Sequence, residues 1–355
     1  MFKNADKFWE YLKSGKPYII AEAGVNHLGS MKLGEDLIAA AAQSGATAIK
    51  FQSYKAKNLC TKHAERFWDW EGEEKQDGTQ IDSYSILDSF EEEEHKQLKD
   101  ICDKYEIEFM STPFDNNAVD YLDRIGINAY KVASCDITNF PLLEHMAKKE
   151  KIIMLSTGAS ELHEIAAAVD LISKYTEKIV IMHCNLKYPT DVHEANLSMI
   201  TSLREKFGDK YVYGLSDHTM DLLTPALSYA LGGTVIERHF TVDKSLDKSA
   251  DHWLSADPAD LRAIAYNVSV AAAMMGEKDK KCTDSEHRAR KYARRSVVSA
   301  RDIAVGEVFT EKNIACKRPG TGISPTLFGE ILGQKAKKNI KEDDLLTNKD
   351  IEWSK

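Results

Sequence analysis

The feature that most restricts this chain is the regular return of short apolar runs, separated by stretches of helical character. The runs are Tyr18–Glu22, Ala46–Gln52, Ile107–Thr112, Ile127–Ser134, Lys151–Thr157, Lys178–Cys184, Tyr211–Ser216 and Gly233–His239. Each is strand-length and rich in Ile and Val, and many are bounded by Gly or Pro. Met31–Ser44, Glu91–Tyr105, Glu161–Tyr175 and Met220–Leu231 read as helices between them, with Ser160 and Asp257 as expected N-caps. Strand–helix–strand alternation implies right-handed crossovers and a parallel sheet. Eight such units in about 275 residues predict an α/β fold, a TIM (β/α)8 barrel. A doubly wound open sheet is the alternative. It is weakened because no GxGxxG follows the first run and because polar residues gather at the C-terminal ends of all eight.

Three segments break the rhythm. Residues 53–90 form a long connection bearing Phe67, Trp68, Trp70 and Tyr84, expected as a lid, a partner surface or an excursion on the barrel's flank. Residues 277–291 are a charged run that reads as a solvated linker. Residues 292–355 carry strand-like pieces (SVVSA, KKNI) among Gly306, Pro319, Gly320 and Gly322, and read as a small second domain after a barrel of residues 1–276. The net charge of −9 gives no reason to expect a nucleic-acid partner, so any anion site must gather its cations in one cleft. No run approaches the roughly 18 apolar residues of a membrane span, the first residues lack a signal-peptide pattern, and six scattered cysteines form no CxxC pair. No membrane partner, reduced thiols and a cytoplasmic location are the expectation.

On a barrel, chemistry sits at the C-terminal strand ends. Glu22 closes the first run. Lys50 and Gln52 lie two apart and so share a face of the second. Thr112 ends the third, Lys131 and Ser134 the fourth, and Ser156 and Thr157 the fifth. Two lysines with several hydroxyls suit a phosphate and a carboxylate, although a single strand-end lysine usually just reaches for solvent. His218 stands two beyond Ser216, and Glu237 and His239 lie two apart with Arg238 on the opposite face. A lone strand histidine is more often core. Convergence from two neighbouring strands favours ligands for Mn²⁺, Fe²⁺ or Zn²⁺. His183 reads as core or as support for that site. Cys135 and Cys184 read as inert, with no base beside either.

Taken in order, IIAEAGVNHLGS, IKFQSYKA, FMSTPFD, YKVASCDITN, LSTGAS, HCNLKYPT, GLSDHT and VIERHFT resemble the N-acetylneuraminate synthase family. The tail KRPGTGIS resembles the antifreeze-like (SAF) domain that ends those enzymes, and AEAGVNH is similar to the neuraminate and legionaminate branches. The resemblance implies a phosphoenolpyruvate cradle of Lys50, Gln52, Thr112, Lys131, Ser134, Ser156 and Ser216. It implies metal ligation by His218 and His239, and catalytic roles for Glu22, Glu237 and His239. Glu22, Tyr188, Asp251 and Arg318 would contact the sugar, Arg318 from the partner copy of a homodimer with exchanged SAF domains. The implied cofactor is a divalent cation, Mn²⁺ first, with Mg²⁺ or Co²⁺ as alternatives. Three departures fall near the sugar side: Leu186 with Asn185 before the YPT motif, Ser134-Cys135-Asp136, and Ala250-Asp251-His252.

The function expected is condensation of phosphoenolpyruvate with N-acetylmannosamine, or a 2,4-diacetamido-trideoxy analogue, to give a nonulosonic acid and phosphate. The alternatives are another phosphoenolpyruvate-dependent 3-deoxy-2-keto sugar acid synthase and a non-catalytic carbohydrate- or ice-binding protein.

Overall fold

The computed structural model describes residues 2–68, 78–88, 90–246 and 251–354; Trp70 and Ala250 lie outside them. Two compact units divide the chain, Met1–Gly276 and Glu277–Lys355. In the first, eight parallel strands close into a barrel in sequence order. They are β1 (Tyr18–Gly24), β2 (Ala48–Ser53), β3 (Glu108–Pro113), β4 (Ala129–Val132), β5 (Ile152–Ser156), β6 (Ile179–Cys184), β7 (Val212–Asp217) and β8 (Val235–His239). The helices of this unit are α1 (Ala5–Lys13), α2 (Met31–Gln43), α3 (Ala56–Leu59), α4 (Gln80–Ser85), α5 (Glu92–Lys104), α6 (Asn116–Arg124), α7 (Phe140–Ala147), α8 (Leu162–Ile172), α9 (Met199–Phe207), α10 (Thr224–Ala230) and α11 (Pro258–Met275).

Alternation along each strand sorts the side chains. Ile19, Ala21, Ile49, Phe51, Ile153, Leu155, Leu215 and Ile236 point outward into the layer shared with the helices. Tyr18, Ile20, Ala48, Met110, Met154, Met182 and Val235 point inward and fill the lumen. That inner cluster continues into Phe8 and Leu12 of α1, so the N-terminal end of the barrel is stoppered by packed apolar groups. Inward positions one step further along the same strands are polar: Glu22, Lys50, Thr112, Lys131, Ser156, Ser216 and Glu237, all buried. The barrel is therefore an apolar plug with a polar layer above it.

β7 and β8 approach closely at Gly214. A Cβ there would sit 2.4 Å from the Val235 carbonyl oxygen and 3.0 Å from its Cβ. Backbone cannot yield as a flexible side chain does, so Gly214→Ala should destabilise the protein by about 1–3 kcal/mol or more. Chemical denaturation with an unchanged m-value is the measurement.

Several local expectations are corrected. Helix α8 is capped by Glu161, whose carboxylate takes part in a capping box with Glu164, and Ser160 instead donates to the Gly158 carbonyl. Asp257 does cap α11, accepting from the main-chain N–H groups of Ala259 and Asp260. Helix α10 begins at Thr224 rather than Met220, because Asp221 turns the chain by accepting from Leu223 and Thr224 N–H, and Pro225 fixes the first turn. Among the described residues no helix is long and apolar enough to cross a membrane.

The second unit pairs β9 (Ser296–Ser299) with β10 (Ile314–Lys317), and β11 (Lys335–Ala336) with β12 (Ile351–Glu352), both antiparallel. Val297, Phe309, Ile314, Ile331 and Leu346 centre its own core. KKNI is not a strand; only Ile340 bridges, to Ile303. The charged run before the unit's sheets is exposed, yet it holds a 3-10 turn at Asp284–Glu286 and a helix, α12 (His287–Tyr292).

Candidate active site

Parallel pairing sets the register of the polar layer. Glu22 lies beside Lys50 on one side and His239 on the other. Gln52 lies beside Thr112, and Ser216 beside Glu237. A bulge between Glu22 and Gly24 ends regular pairing there, with Gly24 at φ +53°. These groups open into one cavity of about 360 Å³, in the range of small-molecule sites.

Lys50 is the hub. Its Nζ is 2.5 Å from Glu22 Oε2, donates to Thr112 Oγ1 at 2.9 Å and stands 4.0 Å from Glu237 Oε2. Lys131 Nζ is 3.5 Å from Glu237 Oε1, which also accepts from Ser216 Oγ at 3.0 Å. Gln52 Nε2 donates to Glu22 Oε1 at 3.0 Å. Two carboxylates thus balance two ammonium groups, all buried. Burial alone would raise the Glu237 carboxyl, but Lys131 and then Lys50 outweigh it and hold it at about 2. The Glu237 charge therefore stabilises the fold above the ordinary carboxylate range and is lost only as pH falls toward 2.

The remaining cradle residues sit at the same level. Ser156 Oγ is buried without a hydrogen-bond partner among the described residues, so a donor or acceptor is open to a ligand there. Ser134 falls in the 3-10 turn after β4, and its Oγ accepts from the Gly158 N–H at 2.9 Å. Thr157 turns away, donating to the Met182 carbonyl. His183 is core, with Nε2 2.7 Å from the Ala195 carbonyl.

His218 and His239 face one another with ring centroids 5.4 Å apart, and Tyr188 lies 4.0 Å over the first ring and edge-on to the second at 5.6 Å. His218 Nδ1 meets the Asn185 carbonyl at 2.6 Å; a carbonyl can only accept, so Nδ1 carries a proton, and in the neutral ring Nε2 holds the lone pair. Asn185 thus contributes through its main chain, while its side chain donates to the Glu194 carbonyl. His239 Nδ1 is 3.2 Å from Asp251 Oδ2, close enough for ion pairing though without hydrogen-bond geometry. Neither Nε2 makes a hydrogen bond among the described residues. Two oriented, unengaged imidazole nitrogens fit a divalent cation that keeps other positions open. Among the described residues no three His, Cys, Asp or Glu side chains are already gathered for an ion. The Glu237 carboxylate interacts mainly with the lysines rather than closing a triad with the histidines.

The surroundings of the thiols differ from expectation. An imidazole does flank Cys184, whose Sγ is 3.8 Å from His218 Nδ1. Because that nitrogen donates to Asn185, it is not a base toward the thiol. Cys135 is exposed, with its Sγ 3.9 Å from Asp136 Oδ2 and no imidazole beside it among the described residues.

The described residues of the 53–90 connection build part of the cavity wall rather than a separate flank. Tyr54, Leu59, Cys60, Phe67, Trp68, Gln80, Ser83, Tyr84 and Leu87 border it, with Phe114 after β3. Of these, Tyr54 could have been found from the sequence, since it continues the Lys50, Gln52 series. Leu59, Cys60, Gln80 and Ser83 lie on or beside two short helices with no legible period. Arg318 is exposed in the second unit, and no arginine is among the described residues that line the cavity.

Comparison with known proteins agrees with this picture. The chain is 40% identical over 334 residues to the N,N'-diacetyllegionaminic acid synthase of Campylobacter jejuni, covering 93% of this chain and 99% of that protein. It is 36% identical over 340 residues to the Legionella pneumophila protein of the same name, covering 94% of each. The crystal structure of an N-acetylneuraminic acid (sialic acid) synthetase from Leptospira borgpetersenii, in complex with citrate, superposes with a TM-score of 0.68 at 34% identity. That superposition covers 77% of this chain and 90% of that one. Residues 294–352 match the SAF domain and residues 37–280 match the NeuB family. With its barrel, its terminal SAF domain and relatives that are nonulosonic acid synthases, this chain belongs to the NeuB family.

Proposed function

We propose that this protein condenses phosphoenolpyruvate with the open-chain form of an N-acylated mannosamine-type sugar, giving a nonulosonic acid and phosphate. The observation that carries the reading is the buried strand-end set Glu22, Lys50, Thr112, Lys131, Ser216 and Glu237 beside two unengaged imidazoles in one cavity. Lys50 and Lys131 supply charge to the phosphate and carboxylate, and Thr112, Ser134, Ser156 and Ser216 supply directional hydroxyls. Held so, the enol CH₂ carbon faces the sugar aldehyde in a near-attack geometry. A divalent cation, Mn²⁺ by our reading, held by His218 and His239 would polarise the aldehyde oxygen. The new C–C bond leaves positive character at C2, water adds there, and the tetrahedral centre expels phosphate by C–O cleavage. Glu237, lying between Lys131 and Lys50 and accepting from Ser216, is placed to fix the two lysines. Glu22, paired with Lys50 and accepting from Gln52, is the group placed to orient the water and take its proton. Asp251 and Tyr188 border the acceptor side of the histidines.

Phosphate release is the test. Full activity is expected with N-acetylmannosamine or its 2,4-diacetamido-trideoxy analogue. EDTA should abolish it and Mn²⁺ should restore it. Erythrose 4-phosphate and arabinose 5-phosphate should be inert. Release with those phosphosugars alone sinks the reading in favour of a seven- or eight-carbon product, and no release with any sugar leaves a binding protein.

The functional unit we propose is a cytoplasmic homodimer in which Arg318 completes the partner's sugar site. Support comes from the cavity's lack of a described arginine and from six free cysteines. Support also comes from an apolar row left exposed on the barrel, Leu223, Leu227 and Leu231 around α10 with Tyr266 and Met274 on α11. Mixing an inactive Lys131→Ala protein with an Arg318→Ala protein should then recover activity. Random exchange puts about one quarter of all sites in a fully wild-type state. Strictly additive, uncomplemented rates would reject the exchange.

A further inference from the structure

The outward face of β7 and β8 carries an ion pair where the fold calls for apolar groups. Tyr213, Leu215 and Ile236 pack outward into the layer shared with the helices. The next outward positions are Asp217 and Arg238, which stand opposite one another in register. Both are almost fully buried, at 2% and 3% exposure. Arg238 Nη1 donates to Asp217 Oδ2 at 2.7 Å. A buried ion pair carries a large desolvation cost, and a well-packed apolar pair is often at least as stable, so stability alone does not account for it.

The place of the pair in the chain does. Asp217 immediately precedes His218, and Arg238 immediately precedes His239. Neighbours along a strand point to opposite faces. The pair therefore joins, from the outer side of the barrel, the two backbone segments that present the two imidazoles to the cavity. The β7–β8 register ends at this same pair, and His218 lies beyond it. Side chains continue the tie where the ladder stops. Arg238 Nη1 also donates to Thr219 Oγ1 at 3.2 Å, and Asp217 Oδ1 accepts from the Thr219 N–H at 2.9 Å. Thr219 Oγ1 in turn donates to Thr224 Oγ1, at the start of α10, at 3.3 Å. The residues on both sides of His218 are thus held by one guanidinium. Main-chain contacts fix each histidine to a different loop: the His218 carbonyl accepts from the Thr190 N–H and the His239 carbonyl from the Ala256 N–H, each at 2.8 Å. The Arg238–Asp217 pair links one histidine segment to the other.

Resting on the cation site of the synthase reading above, we propose that Asp217 and Arg238 are positioning residues. Their buried pair sets the separation of His218 and His239, whose ring centroids stand 5.4 Å apart, and with it the affinity for a divalent cation. Neither is among the described residues that line the cavity, so both act through the histidines that follow them.

The test is a Mn²⁺ titration of the metal-free protein, read from the EPR signal of the free ion. Asp217→Val combined with Arg238→Met removes both charges and leaves apolar groups in their place, so the urea midpoint should stay near the wild-type value. The Mn²⁺ Kd should nevertheless rise at least ~10-fold, the low end for groups that orient metal ligands. At saturating Mn²⁺ turnover should return toward wild type with KM for phosphoenolpyruvate unchanged, a pattern that general loss of folding does not give. If the double variant fails to fold, Asp217→Asn, nearly isosteric and still able to accept from Thr219, carries the same readout with a smaller rise in Kd. His218→Ala should lose the ion; undiminished Mn²⁺ binding there overturns the proposal. A folded variant of either kind that binds Mn²⁺ as tightly as wild type also overturns it, while phosphate release still supports the synthase. No phosphate release from the wild-type protein overturns the synthase reading, and a raised Kd in the double variant then still supports the hold of the pair on the two histidines.

Discussion

Replacing Glu22 with Gln is expected to lower kcat by about 10²–10⁴-fold, the range one positioned acid–base group supplies. The substitution is nearly isosteric and keeps a polar head beside Gln52. It removes the nearest anion from Lys50, 2.5 Å away, and so frees that ammonium for an incoming phosphate. Phosphoenolpyruvate binding should therefore hold or tighten while turnover collapses, a split that a merely structural carboxylate would not produce. Steady-state kinetics beside a direct binding titration measures it. Undiminished turnover in Glu22→Gln removes Glu22 from the chemistry and would move the water-orienting role elsewhere.

Lys50→Met should act on the fold and the site together. Methionine approximates the stem but brings no charge, leaving Glu22 buried without its 2.5 Å ammonium partner and Glu237 with Lys131 alone of its two lysines. Removing one partner of a buried ion pair costs about 3–5 kcal/mol. The loss should be largest at neutral pH. In the wild type Glu237 stays ionised until pH falls toward about 2. In the variant it loses its second cation, so its carboxyl titrates higher and the residual charge penalty is relieved at a higher pH. Urea midpoints at pH 7 and pH 4 read this directly: the gap between wild type and variant should narrow at the lower pH. Phosphoenolpyruvate KM should rise at least ~100-fold, since each charge-assisted contact is worth roughly 1.5–3 kcal/mol and Lys50 would, on the synthase proposal, face both anionic groups of the ligand. Arginine should not rescue, because its broad planar head cannot occupy a position shaped for a point charge. A variant as stable as wild type would mean that the Glu22–Lys50 pair is not the anchor described.

Much of this was legible in the residues, and the reason is geometric. Strand alternation gives Lys50 and Gln52, or Glu237 and His239, a common face from their spacing alone, and parallel closure then places all strand ends at one level. What alternation does not encode is who faces whom. Glu237 could stand with the histidines or with the lysines; two ammonium groups at 3.5 and 4.0 Å decided it. Asn185 carries no sign that its carbonyl, not its amide, orients His218. Ser160 and Glu161 are adjacent, and either can cap a helix; the reciprocal box with Glu164 selected Glu161. The aromatic wall was visible only as a long, ring-bearing connection, because helices of four and six residues leave no periodic trace.

The apolar stopper made by Phe8, Leu12, Tyr18 and the lumen methionines closes the N-terminal end of the barrel, so among the described residues the strand-end layer opens on the opposite side. Whatever binds the strand-end layer must pass the place where the acceptor will rest. Occupancy is therefore a stack, last in and first out. On the synthase proposal, the enol phosphate would have to arrive before the sugar, and inorganic phosphate would leave after the nine-carbon acid. Added phosphate should accordingly compete with the donor alone, and a trapped acceptor should slow donor escape.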